Sequence, residues 1–573
     1  MQHEGLFAYL GDGKYYELDR VCHCTQIYNN YYICSMKKIL LAVALLTATI
    51  SSEAQSRSFK LGKWTEIQNS ILKELDRSYV DTLPIDRIER KAVDAMLSSL
   101  DPYTVYVPQE ESENLEMLIH KSYGGIGAVI YKPDTDGPVI INEPYANSPA
   151  AKAGLQCGDE ILAIDGESVV GLTSSQSSEK MRGEPATKVV FTVRKLRTGE
   201  TVEVPIIREK IHMPDVEYAA MLDGNVGYIL QTGFSEGVSD EVAAAIRKLK
   251  DQGMKKLVLD LRGNGGGLLA EAVGVASLFL PKGTLVVTAK GREPSSNYTL
   301  KTVREPVDTK LPLIVLVDSG SASASEIVAG VVQDTDRGTV MGERTFGKGL
   351  VQSMRQLPYG GELKITTAKY YTPSGRCVQA IDYSNRKEDG SVGHIPDSLT
   401  HEFKTAHGRI VRDGGGITPD VEIKDTTDYS RLTYSLVMNG VTEQYALEYV
   451  RKHESICAVK DFHLADEDYE DFIEFAKGKT FDYRSSARTL FDQMRKELAK
   501  DGLEENMKAE LSALEKSLEM EKEEFLRLKK DEIIPFIEEE IVVRYYFQEA
   551  AHELRIRTDK VLWKALESPL IKY

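Results

Sequence analysis

The sequence predicts a multidomain α/β protein: an α/β core, a β-rich module inserted ahead of it, and helical regions at both ends. Three observations carry this expectation. The chain has 573 residues, room for about three or four domains. Strand-like and helix-like segments alternate between residues 226 and 381, the order expected of an α/β core. From about residue 430 the chain turns helical and strongly charged.

Composition narrows the function classes. Hydrophobic residues make up 42% and charged residues 28%, an ordinary globular balance. The net charge of −17 is a poor match for nucleic-acid phosphates, so no nucleic-acid partner is expected. Six cysteines are too few for a disulfide-built scaffold.

Residues 1–35 hold Cys22, Cys24 and Cys34 and no clear periodicity. They read as unstructured upstream translation. Met36-Lys37-Lys38, the apolar run Ile39 to Ile50 and Ser51-Ser52-Glu53-Ala54-Gln55 then describe a secretory signal over residues 36–54. The run is shorter than the roughly 20 residues of a membrane span, and no cysteine follows it where a lipoprotein anchor would sit. Export to the bacterial periplasm or envelope is the expectation, with an N-terminal membrane anchor as the alternative. Cleavage would leave Cys157, Cys377 and Cys457, an odd number with at least one free thiol.

Residues 55–112 read as helical. Ile67, Ile71, Leu72 and Leu75 recur at helical spacing, as do Ile88, Ala92, Ala95 and Met96, and Leu100-Asp101-Pro102 ends the second helix. Residues 113–209 read as the β-rich module, with strands at Ala128–Tyr131, Val139–Asn142, Glu160–Ile164 and Val189–Lys195. In the core, at 210–429, strands are expected at Val226–Gln231, Leu257–Leu261 and Leu313–Val317. Helices are expected at 240–251, capped by Ser239, at Leu268–Leu280 and at Ser323–Val332. A polar insertion occupies 382–416. In the helical region 430–573, Leu511, Leu518 and Phe525 stand seven apart, and Leu514 and Leu528 continue a seven-residue spacing that Glu521 interrupts. That pattern suits a dimer seam or packing within the same domain, and a homodimer through the helical termini is one expectation.

Three segments carry chemistry. Asp318-Ser319-Gly320-Ser321-Ala322-Ser323-Ala324-Ser325-Glu326-Ile327 joins a buried strand to a helix start. Small residues let a substrate carbonyl approach a serine, and the free amides of a helix start favour a developing oxyanion. Gly342-Glu343-Arg344-Thr345-Phe346-Gly347-Lys348-Gly349-Leu350-Val351-Gln352 sets a lysine between glycines beside apolar residues. Desolvation there would lower its pKa toward that of a base. Leu259-Asp260-Leu261-Arg262-Gly263-Asn264-Gly265-Gly266-Gly267-Leu268 is a strand, a glycine loop and a helix start without the phosphate-binding spacing. An oxyanion hole is its preferred reading.

Together these segments resemble the C-terminal processing peptidases, or tail-specific proteases. In that family the nucleophile lies in Gly-Ser-Ala-Ser-Ala-Ser-Glu, and the base lysine follows 25 residues later in Thr-Phe-Gly-Lys-Gly. The resemblance implies a ClpP/crotonase-like protease core with Ser323 as nucleophile, Lys348 as general base and Gln352 supporting it. It also implies oxyanion donors at Gly266, Gly267 and Ala324, and an aspartate at Asp334 whose role is open. Leu100-Asp101-Pro102-Tyr103-Thr104 and Thr366-Thr367-Ala368-Lys369-Tyr370-Tyr371-Thr372-Pro373-Ser374-Gly375 match further family strings. The match runs over roughly residues 64–425, and departs from the family at the insertion and at Gly265, where many members carry proline.

The module at 113–209 resembles a PDZ domain. Tyr123-Gly124-Gly125-Ile126-Gly127 fits the loop whose amides hold a peptide's C-terminal carboxylate. An extended tail would add a strand at a free sheet edge. Protein or peptide tails are thus the expected partners, and a domain that only packs is the alternative. A Ser-Lys dyad needs no cofactor or metal, and the ten histidines show no metal-ligand spacing.

Two other readings compete. One is a catalytically silent scaffold that binds envelope protein tails. The other is an esterase on the elbow Gly233-Phe234-Ser235-Glu236-Gly237, which would need a later acid and histidine such as Asp334 and His394, and lacks an upstream HGGG string. Ser70-x-x-Lys73 and Ser177-x-x-Lys180 read as helix-surface coincidences.

Overall fold

The computed structural model describes residues 7–10, 14–17, 57–111, 117, 120–132, 135–383 and 392–570. Its backbone divides into two compact units, Met1–Met96 and Leu97–Tyr573. The segment 36–54, expected to be a signal, lies outside the described residues.

In the first unit, the expectation of no structure before residue 36 is corrected. Phe7–Leu10 and Lys14–Glu17 pair antiparallel. Two aromatic-rich runs flank Gly11-Asp12-Gly13, which is hairpin chemistry that helical periodicity does not detect. Residues 57–78 are helical, as their spacing predicts.

The second unit holds a six-stranded core sheet in the order Val216–Leu222, Val226–Gln231, Lys256–Asp260, Leu313–Val317, Thr339–Gly342, Val421–Glu422. The first two strands form a hairpin, and the rest are parallel. Leu313–Val317 is buried along its whole length. That explains its unbroken apolar run, because a central parallel strand is covered on both faces. Helices Val238–Asp251, Leu269–Ala276 and Ala324–Asp334 cover one face, with Ile246, Val275 and Val328 fully buried. The other face is closed by Ile556, Val561, Leu562 and Ala565 from the C-terminal helices, packed on Tyr228, Val258, Ile314 and Leu316. A second sheet runs Tyr298–Lys301, Leu285–Gly291, Glu362–Tyr371, Leu350–Gln356, and Val105–Val107 adds against Glu362–Tyr371.

Ser239 does not cap its helix. Gly237, at φ 91°, is the cap residue and offers no side chain. Glu271 accepts instead from the Gly237 and Ser239 amides, at 3.1 and 3.0 Å. The first-turn donors are thus satisfied from the next helix rather than locally.

The β-rich module is an antiparallel sheet ordered Thr201–Ile207, Lys188–Arg194, Glu160–Ile164, Val139–Pro144, Ala128–Tyr131. Alternating burial along Lys188–Arg194 places Val189, Phe191 and Val193 in its core. Ala128–Tyr131 lies at the edge of this sheet. Ser122–Gly125 pairs with Glu209–His212, so the two chain crossings into the module lie side by side.

The C-terminal helices share a core that includes Leu432, Tyr445, Phe472 and Ile537. The heptad pattern is not one seam. It splits between Lys508–Leu518 and Lys522–Leu528, with Leu511 and Phe525 buried while Leu514 and Leu528 face solvent. The long helix Lys530–Thr558 breaks at Phe547 (φ 64°), and the next amide, Gln548 N, donates to Glu143 Oε1 of the β-rich module at 2.8 Å. This region therefore packs on both the core sheet and the module. Cys157, Cys377 and Cys457 are all free.

Asp334 anchors the far end of the helix Ala324–Asp334. It lies 2.8 Å from the Arg376 guanidinium, and both side chains are buried. Asp334 also accepts from Ser374 N at 3.0 Å. Asp334→Ala leaves a buried, unpaired guanidinium and should cost about 3–5 kcal/mol of folding stability. Urea unfolding measures this, and a loss under about 1 kcal/mol would contradict the anchoring role.

Candidate active site

The glycine loop, the serine string and the lysine loop converge on one cleft of about 540 Å³. Its lining includes Gly266, Gly267, Ser323, Ala324, Lys348 and Gln352, so the structure brings together the residues expected as nucleophile, base, supporting glutamine and oxyanion donors, while Asp334 lies outside it. The tail-loop residues Gly124, Gly125, Ile126 and Gly127 lie apart from this cleft, on the β-rich module.

Ser323 is the cap residue of the helix Ala324–Asp334, with φ 56° and ψ −109°. A non-glycine residue rarely adopts that conformation, which costs of order 1–3 kcal/mol and persists only when its surroundings impose it. The imposing group is Glu326, fully buried one turn along. Its Oε2 accepts from the Ser323 amide and the Lys348 amide, both at 2.8 Å. Its Oε1 accepts from Thr345 Oγ1 at 2.6 Å and the Gly347 amide at 2.7 Å. Burial pushes this carboxyl above its usual range, while the four donors favour its ionised form. A buried tyrosine adds a second tie: Tyr370 Oη lies 3.0 Å from Ser323 O and 2.7 Å from Lys348 O.

Gly347 sits at φ 87°, and a Cβ there would lie 2.3 Å from Ala380 Cβ. Only glycine lets the lysine loop pass so closely. Lys348 Nζ lies 4.3 Å from the centroid of the Tyr103 ring. Among the described residues it makes no hydrogen bond to Ser323 Oγ and no ion pair. Burial, then the nearby Lys364, lower its pKa. Gln352 lines the cleft and donates to Thr366 Oγ1 at 3.2 Å.

The glycine loop corrects one oxyanion assignment. The Gly266 amide donates to Asn264 Oδ1 at 2.9 Å, so it is not free to receive an oxyanion. Gly266 matters instead for close approach: at φ 98°, its Cβ would lie 2.9 Å from Ser323 Cβ and 3.0 Å from Ala324 N. The Gly267 and Ala324 amides donate to no protein acceptor among the described residues. Asn264 holds the loop in place, donating to Gln231 O at 2.8 Å while its own carbonyl accepts from Ala322 N and Ser325 Oγ.

Sequence reading missed Asn264, Glu326 and Tyr370 as organisers of the cleft. Glu326 had a local signal, a glutamate three residues after a serine at a helix start, which is the capping-box spacing.

Of the other serines, Ser235 lines the same cleft as Ser323, but that lining holds no histidine of the kind its esterase reading needs. Ser235 is buried, its amide donates to Asp215 Oδ2 at 2.6 Å, and its hydroxyl has no partner among the described residues. Asp334, a supposed esterase partner, is committed to Arg376. Ser70 and Ser177 hydroxyls bond backbone carbonyls of their own helices or caps.

Comparison with known proteins agrees with this assembly. Residues 225–384 match the family model for peptidase family S41, residues 140–195 that for a PDZ domain, and residues 432–568 that for the C-terminal helical domain of a probable PDZ-protease. A carboxy-terminal-processing protease of Bartonella bacilliformis is 35% identical over 357 residues, which cover 60% of this chain and 81% of that protein. A probable CtpA-like serine protease of Staphylococcus aureus is 34% identical over 354 residues, covering 59% and 69%. The solved PDZ domain of the carboxy-terminal protease from Vibrio cholerae, in complex with peptide, is 32% identical and covers 16% of this chain and 99% of that one, with a TM-score of 0.15. The chain belongs to the carboxy-terminal processing proteases of peptidase family S41. It is a serine peptidase with a PDZ domain and a C-terminal helical domain.

Glu326→Gln turns an amide N–H₂ toward two donors whichever way it sits. Kcat/KM should fall at least about 10-fold, and stability should drop by about 2–5 kcal/mol. Peptide hydrolysis and thermal unfolding read the two effects, and wild-type values in both would refute the clamp.

Proposed function

We propose that this chain is an exported endopeptidase that reads protein C-terminal tails through its PDZ domain and cleaves by a Ser323–Lys348 dyad. The observation that carries this reading is one buried carboxylate, Glu326, bonding the amides of both residues. The apolar segment at 36–54 supports export to the periplasm or envelope. Among the described residues no helix is long and apolar enough to cross a membrane.

A tail docks as an added strand beside Ala128–Tyr131, its carboxylate at the Gly124–Gly127 loop. The scissile carbonyl enters the cleft with its oxygen toward the Gly267 and Ala324 amides. Neutral Lys348 takes the Ser323 hydroxyl proton as Oγ attacks the carbonyl carbon. The two amides and the helix start stabilise the oxyanion. The Lys348 ammonium returns the proton to the leaving amine, and the peptide C–N bond breaks. Lys348 then takes a proton from water, which attacks the acyl ester, and the proton returns to Ser323 Oγ as the acid product leaves. Gln352 borders the cleft beside Lys348.

Ser323→Ala and Lys348→Ala should each lower kcat/KM on an unfolded substrate by at least about 10³-fold. Full activity in either would refute the dyad. A base whose pKa is lowered is neutral only above that pKa, so activity should rise with pH through it. Lys364→Met removes a repelling charge, raises the Lys348 pKa and should move the acid limb of kcat/KM to higher pH by up to about one unit. An acid limb that moves to lower pH would contradict the assignment.

A further inference from the structure

The turn Leu100-Asp101-Pro102-Tyr103-Thr104 is built with more care than a connection requires. Asp101 Oδ1 accepts from the amides of Tyr103 and Thr104, both at 2.8 Å, and Asp101 Oδ2 accepts from Thr104 Oγ1 at 3.1 Å. Both Asp101 and Thr104 are buried. Thr104 Oγ1 in turn accepts from Thr366 N at 3.2 Å, which pins the turn to the strand Glu362–Tyr371. One side chain is aimed by this framework. The Tyr103 ring faces Lys348 Nζ at 4.3 Å and meets the Tyr383 ring edge-on at 6.1 Å between centroids.

We propose that Tyr103 is a positioning residue for Lys348: its ring face holds the lysine ammonium in the resting enzyme, and the lysine leaves that face to reach Ser323. The proposal rests on the dyad reading of Lys348. A ring quadrupole attracts the ammonium form and not the neutral amine. Loss of the ammonium charge therefore weakens the same contact that keeps Nζ from Ser323 Oγ.

Burial raises the Tyr103 phenol pKa, so the ring is neutral at any working pH. Its pull on Lys348 is cation–π rather than an ion pair. The charged groups acting on Lys348 are Lys364, which lines the same cleft from the strand Glu362–Tyr371, and Glu326 and Asp101, which favour its ammonium form. None of these is altered by a change at Tyr103. An aliphatic residue of similar bulk would keep the dry wall that depresses the Lys348 pKa while removing the π face that opposes the depression.

The test compares the pH dependence of kcat/KM in wild type, Tyr103→Phe and Tyr103→Leu on one peptide substrate. The acid limb of Tyr103→Leu should move to lower pH by about half to one and a half units, and that of Tyr103→Phe should stay in place, since its ring remains. A Leu limb that overlays wild type, or equal movement in both variants, overturns the proposal. A merely structural turn would lower activity at every pH without moving the limb.

A second readout needs no variant that folds poorly. In wild-type protein with ¹³C-lysine, assigned through Lys348→Arg, the Lys348 Hε resonances should lie upfield of the other lysines through the Tyr103 ring current. Ordinary Lys348 shifts overturn the proposal. Lys348→Ala separates the two ideas. If it cleaves normally, the dyad and this role both fail. If it is inactive while the Leu limb stays in place, only this role fails.

Discussion

Glu326 is the constraint on which the rest of the site depends. One carboxylate, fully enclosed, accepts four hydrogen bonds: from the Ser323, Lys348 and Gly347 amides and from the Thr345 hydroxyl. An ionised carboxylate without water is costly unless its oxygens are satisfied. Satisfying them fixes the lysine loop against the helix start and imposes the unfavourable φ at Ser323. The serine and lysine lie 25 residues apart in sequence, yet their backbones share one acceptor.

The surroundings protect that arrangement. Asn264 shapes the glycine loop so that one amide is consumed and the Gly267 amide remains available. On the opposite face of the core sheet, the C-terminal helices bury Tyr228, Ile314 and Leu316. The same region reaches the PDZ domain through Gln548 and through Arg197, which donates to Glu454 O at 3.2 Å. Where the chain enters the PDZ domain, Lys121 lies 3.5 Å from buried Asp215, and both line the cleft with Ser323. Core, PDZ domain and cleft are therefore joined by short polar contacts.

Much of this was legible in the sequence. The strands Val226–Gln231 and Leu313–Val317 follow from their apolar runs, and the three chemical segments from their glycines, serines and lysine. What stayed hidden depends on contacts between distant residues. The cap of the helix Val238–Asp251 comes from Glu271, which no local rule at Ser239 reveals. The loss of Gly266 as an oxyanion donor follows from one bond to Asn264, a matter of a side-chain rotamer. The heptad at 511–528 failed because residues 519–521 separate two helices, and spacing alone does not show that separation. Tyr103 was visible as part of a family string, but its ring's place over Lys348 required the fold.

The proposed role of the buried Glu326 carboxylate is to set Ser323 and Lys348 for acyl transfer. Acid-quenched turnover of a peptide ester, followed by mass spectrometry of the digested protein, tests it most directly. An acyl adduct is expected on the peptide containing Ser323 in wild type, and its loss in Glu326→Gln. An adduct on Ser235, or undiminished acylation of Ser323 in Glu326→Gln, would contradict it.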